Sequence, residues 1–143
     1  MVQIPVVYPL FSRLQVSEIK TERKQVNASP RQMRLVLTVV ESGQIVSVPL
    51  GDRMVIGRDD NEGSHHLDID LSKVDGVRYG LSRWHALFMH DAQGLFVEDL
   101  NSTNGTRING YRIEAGRPYH LRNGDELELG TLRLTVRMVH QPC

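Results

Sequence analysis

Three short segments concentrate the residues that could do chemistry: Gly57-Arg58, Leu81-Ser82-Arg83-Trp84-His85, and Asn101-Ser102-Thr103-Asn104-Gly105-Thr106, with Asn109-Gly110 close behind. Together they offer guanidinium groups, hydroxyls and amides, and the donors outnumber nearby acids. Such a set suits a phosphate dianion. Arginine supplies a charged fork, Ser and Thr supply hydroxyls, and turn N–H groups add more. Each hydrogen bond to a charged group contributes about 1.5–3 kcal/mol. Ser82 and His85 are also the types of a nucleophile and its base. However, Trp84 stands where a Gly-x-Ser-x-Gly elbow needs its second glycine, and no GxxxxGK[ST] loop occurs. A serine beside Arg83 suits anion capture better than attack, so the chain reads as a binder, not an enzyme, and needs no cofactor.

Metal binding is not expected either. His65-His66 would point to opposite faces of a strand, and no cysteine or spaced histidine completes a site. The acids Asp59, Asp60, Glu62, Asp68, Asp70 and Asp75 do not match the EF-hand spacing. They read as a solvated loop face. His85, at a strand start, reads as structural, and Trp84 as a packing or rim residue.

The elements that must position these loops are strands. Leu132, Leu134, Val136 and Met138 alternate with Arg133, Thr135 and Arg137, and Leu127 and Leu129 alternate with glutamates. This is the period of a strand with one wet face. Residues 34–40 are rich in β-branched side chains. Further strands are expected at 45–50, 53–58, 67–71, 85–90, 94–100, 111–113 and 118–121. Asn-Gly at 104–105, 109–110 and 123–124 and Asp-Gly at 75–76 supply turns, and Asn-Gly suits the positive φ of tight hairpins. Many short strands without a long helix predict an all-β fold, an antiparallel β-sandwich with function in its end loops.

Composition narrows the class. The 143 residues suffice for one domain with a tail, and 40% of them are hydrophobic. Seventeen basic and 17 acidic side chains give zero formal charge, which disfavours nucleic-acid binding. The single cysteine, Cys143, excludes an intrachain disulfide. No apolar run approaches the roughly 20 residues of a membrane helix, and no secretory signal is recognisable. A cytoplasmic setting is expected, with no membrane partner.

The chain divides near residue 31. Residues 1–31 carry five basic against two acidic side chains and Pro5, Pro9 and Pro30. They read as an N-terminal extension, partly flexible, and residues 32–143 as the domain. The apolar Ile4–Phe11 stretch marks the extension as a candidate for docking or self-association. Ser12-Arg13-Leu14-Gln15 matches a capping box and predicts a short helix near 12–25. Thr21 is the only threonine before residue 34 and a candidate phosphorylation site.

The ordered set Gly57-Arg58, Ser82-Arg83-Trp84-His85, Asn104-Gly105-Thr106 and Asn109-Gly110 resembles a forkhead-associated (FHA) domain over residues 34–139. Asn123-Gly124-Asp125 resembles that family's late turn. The resemblance implies an FHA/SMAD-like sandwich of about eleven strands that recognises phosphothreonine peptides at one end. It would make the chain a signalling module that captures partners phosphorylated by a Ser/Thr kinase. Arg58 would grip the phosphate, with Ser82 donating its hydroxyl and Arg83 adding a second charge. Thr103 would contact the phosphate or the threonine methyl, and Asn104 the peptide backbone. Gly57, His85, Gly105 and Asn109 would support the site. The span Asp59–Gly80 is longer than usual for the family. Leu67–Leu71 is expected as the family's strand there, and Ser72–Gly80 as a surplus rim. The alternative is a phospho-independent assembly module of the same fold.

Overall fold

Period-two burial governs the architecture. The computed structural model describes residues 32–59, 66–74 and 78–141. The extension 1–31, its helix near 12–25 and Thr21 lie outside the described residues. On β1 (Met33–Val39) the residues Leu35, Leu37 and Val39 face inward. They are followed by β2 (Ile45–Pro49), β3 (Arg53–Gly57) and β4 (Ile69–Asp70). Next come β5 (Ala86–Asp91), β6 (Gly94–Asp99), β7 (Thr106–Ile108) and β8 (Tyr111–Arg112). The last three are β9 (Pro118–Leu121), β10 (Glu126–Leu129) and β11 (Leu132–His140). One sheet has six strands in the order β2-β1-β11-β10-β7-β8 and the other five, β4-β3-β5-β6-β9. Their inner faces share a core in which Phe88 is fully buried among Leu35, Ile56, Leu95 and Leu127.

Three details differ from the sequence expectation. The strand expected at 67–71 shortens to Ile69–Asp70, and it pairs with β3 in parallel, the exception in an otherwise antiparallel set of strand pairs. Its carboxylates explain the shortening. Asp68 Oδ2 accepts from Val55 N (2.8 Å), and Asp70 Oδ1 accepts from Asp59 N (3.0 Å) and Ser72 N (2.9 Å). Side chains thus take over donors that a longer ladder would use. The strand β7, squeezed between two Asn-Gly turns, is too short to show alternation. Of those turns, Asn109-Gly110 has positive φ at both residues (50° and 89°), the geometry of a two-residue hairpin. At Asn104-Gly105 and Asn123-Gly124 the positive φ falls on the glycine.

The ends of the sandwich are unlike. At one, the turn after β10 meets the loops after β4 and β6: Gly130 N–H donates to Gly105 O (3.0 Å) and Thr131 N–H to Tyr79 O (2.8 Å). This ties Tyr79–Gly80, in the surplus segment, to the sandwich. At the other end β1 begins and β11 finishes, with Met33 opposite His140. The nine residues of β11 separate the two ends by roughly 30 Å. Among the described residues, no helix is long and apolar enough to cross a membrane.

Phe88→Ala would leave a cavity at the centre of both sheets. The expected loss is about 3–5 kcal/mol, read as a fall in the urea midpoint.

Candidate functional site

The end with the loops gathers the residues singled out in the sequence. Strand β3 runs into Gly57 and delivers Arg58 beside the loop that precedes β5. There Arg58 Nε–H donates to Leu81 O (2.6 Å), and the backbone N–H of Arg58 donates to Arg83 O (3.2 Å). The approach leaves no room for a side chain at residue 57, because a Cβ there would overlap the Arg83 carbonyl. Ser82 is half-buried; Arg83 and Trp84 are exposed on the same loop.

The loop between β6 and β7 closes over this segment. Thr103 N–H donates to Ser82 Oγ (3.0 Å), and Asn104 Nδ2 donates to Gly80 O (2.9 Å). Arg58, Thr103 and Asn104 therefore all attach to one stretch, Gly80–Arg83, which carries Ser82. Arg83 stands on that stretch, its side chain exposed beside Ser82. Asn109 lies at the far turn of the β7–β8 hairpin. There its Nδ2 donates to Asp125 Oδ1 (3.0 Å) and its Oδ1 accepts from Glu126 N–H (2.9 Å). It braces β7 against β10 and does not reach the cluster's loops by hydrogen bonds.

His85 sits beneath the cluster with no exposed surface. Its Nδ1 accepts from Ser82 N–H (3.0 Å), and its Nε2 lies 2.9 Å from Gly105 O. Only the neutral imidazole with its proton on Nε2 satisfies both neighbours. Burial depresses its pKa below the ordinary 6.5; the bond to Gly105 and the charge of Asp99 act the other way without prevailing.

Asp99 was not foreseen as part of this apparatus. It follows Leu95 and Val97 at the inward positions of β6, and it is buried. Its Oδ1 accepts from Ser102 Oγ (2.6 Å) and Thr106 Oγ1 (2.6 Å), and its Oδ2 from Ser102 N–H (3.0 Å). Ser102 Oγ in turn accepts from Gly105 N–H (3.0 Å). Burial alone would push the Asp99 carboxyl up, but the bonds from Ser102 and Thr106 together hold it below its ordinary value. The sequence signal was present: an acid at an inward position of an alternating strand needs partners. Among the described residues, every buried side-chain nitrogen and oxygen has one, and no group of three or more His, Cys, Asp or Glu could hold a metal ion.

The histidine sets a pH dependence. The unfolded chain protonates His85 near pH 6.5, and the folded domain does so only at lower pH. The stability from the neutral, buried ring is complete above that value and is lost as pH falls through it. The unfolding free energy should drop below pH 6.5 with a slope of at most about 1.4 kcal/mol per pH unit from this group. Urea titrations across that range check it, and His85→Gln should flatten the slope.

The family "FHA domain" matches residues 54–130. The FHA domain-containing protein FhaA of Mycobacterium tuberculosis is 39% identical over 59 residues, covering 41% of this chain and 11% of that protein. Protein FraH of Nostoc sp. is 30% identical over 115 residues, covering 80% of this chain and 36% of that protein. The chain therefore spans well under two thirds of these relatives' own lengths. A structure solved for the analysis of phosphothreonine-dependent FHA domain interactions superposes with a TM-score of 0.56 at 28% identity, covering 77% of this chain and 99% of that one. With the family matched over more than half of its length, onto the strands and loops that build this tip, the chain belongs to the forkhead-associated (FHA) domain family.

Proposed function

We propose that the loop end binds phosphothreonine peptides and so captures partners that a Ser/Thr kinase has phosphorylated. The observation that carries this reading is the convergence of Arg58, Thr103 and Asn104 on Gly80–Arg83, which carries Ser82. The bond from Nε to Leu81 O fixes the plane of the Arg58 guanidinium, whose terminal nitrogens would meet the phosphate. Ser82 Oγ uses a lone pair inward on Thr103 N–H, which leaves its own proton to donate to a phosphate oxygen. Arg83 would add charge, Thr103 would flank the threonine methyl, and Asn104 would bond the peptide backbone. The likeness to a structure studied for phosphothreonine-dependent interactions supports the same assignment.

Capture without turnover is part of the proposal. The base that a hydrolytic reading would need is His85, and both its ring nitrogens are engaged with backbone groups. The domain is assigned to residues 32–143, with 1–31 as an extension, and it would act in the cytoplasm alongside its kinase.

Matched threonine, phosphoserine and phosphothreonine peptides, titrated by calorimetry, test the reading. The unmodified peptide should not bind. Phosphothreonine should exceed phosphoserine by roughly fivefold, about 1 kcal/mol for one buried methyl. Equal binding of all three would refute it. Arg58→Ala should weaken phosphothreonine binding by more than about a hundredfold, the loss of two charge-assisted bonds. It should also cost about 1 kcal/mol of stability, because the half-buried Arg58 ties down Leu81. An exposed loop arginine would cost less.

A further inference from the structure

Strand β2 lies at the edge of the six-stranded sheet. Its five residues, Ile45-Val46-Ser47-Val48-Pro49, carry no charge. The other edge strands are less able to pair: β4 and β8 have two residues each, and β9 opens on a proline. The ladder to β1 decides which backbone groups of β2 face outward. Val39 N–H donates to Gln44 O (2.8 Å) and Leu50 N–H to Met33 O (2.9 Å), one bonded pair beyond each end of β2. Bonded and non-bonded pairs alternate along an antiparallel ladder. With Leu37 opposite Val46 and Leu35 opposite Val48, those two valines turn their backbone groups to β1. Ile45, Ser47 and Pro49 turn theirs to the open side. Proline, which has no N–H to offer, falls where the sheet does not need one.

An uncharged open edge invites a further strand, and proteins guard such edges with charged side chains. Here the guard is Arg34, on β1. Its guanidinium reaches across to β2, donating from Nε to Ser47 Oγ (2.8 Å) and from Nη2 to Ser47 O (2.9 Å). Ser47 O is the central acceptor of the open side, so the arginine occupies a group that an added strand would use. Among the described residues, no carboxylate pairs with Arg34.

We infer that the open edge of β2 is a pairing site for a second copy of this chain, and that Arg34 holds it closed. The occupant follows from the strand's own symmetry. Val46-Ser47-Val48 reads alike in both directions, so two copies can meet antiparallel about a twofold axis at Ser47. Each Ser47 would then exchange N–H···O bonds with the same residue of the second copy. Each Ile45 N–H would donate to Pro49 O of the second copy. All four bonds use groups that now face outward, and Val46 and Val48 would stand opposite one another on the core side. No charged side chain of β2 opposes the pairing. Arg34 does oppose it: it holds the Ser47 carbonyl, and the twofold axis would bring two guanidinium groups together. The loop end takes no part, so the pairing is independent of phosphothreonine binding.

Sedimentation velocity on the full chain, with Arg34→Ala compared across the micromolar to millimolar range, tests this. Removing the guanidinium should tighten self-association by roughly tenfold or more. Adding Ser47→Pro, which deletes an outward N–H and no bond to β1, should return the association to that of the unsubstituted chain. A cooperative melt checks that each variant is folded. Register is read by cross-linking Arg34→Ala in a Cys143→Ser background. Between paired copies, residues 47 would lie about 5.5 Å apart, and residues 45 more than about 13 Å. A short thiol-directed cross-linker should therefore join Ser47→Cys copies and spare Ile45→Cys. Unchanged association in Arg34→Ala, association that a folded Ser47→Pro variant leaves in place, or equal cross-linking at both positions overturns the inference.

Discussion

An uncharged imidazole, buried beneath them, bridges the two loops on which the proposed binding end depends. His85 accepts from the backbone of Ser82 on one side and reaches the carbonyl of Gly105, 20 residues away, on the other. Both contacts are made without access to water, so neither loop can exchange them for solvent. A protonated ring would face a donor with a donor. Burial and function therefore ask for the same charge state. The loop of Ser82 and the loop of Gly105 are thereby fixed relative to each other without a ligand.

The rest of the end follows from that bridge. Asp99 gathers Ser102 and Thr106 and so shapes the turn that carries Thr103 and Asn104. Gly57 lets the β3 end pass against the Arg83 carbonyl, which sets the angle at which Arg58 leaves its strand. The side chains of Arg58, Ser82 and Asn104, proposed to meet a ligand, are each held by a neighbour on a different segment of chain. Such preorganisation reduces the ordering entropy lost on binding. The proposed anion site rests on local donor placement, not on net charge.

Much of this was legible in the sequence, for identifiable reasons. Alternation at 132–138 and 127–129 announced β11 and β10, and the inward leucines are where that period puts them. Strand β7 was hidden because three residues between turn signals carry no period. The parallel pairing of β4 was hidden because it depends on Asp68 and Asp70 bonding to backbone, which no propensity records. The cluster around Ser82 was readable as a donor-rich set of loops, but the sequence could not state which loop touched which. Asp99 went unread because its importance lies in the turn it organises through Ser102 and Thr106, a few residues on. An inward acid on an alternating strand is a signal that could have been used.

The pairing of Met33 with His140 places the domain's first and last strands side by side, at the end remote from the loops. A polypeptide entering and leaving there can be spliced between other modules like a cassette. Linker length would then set how far the domain can search, without altering what it grips.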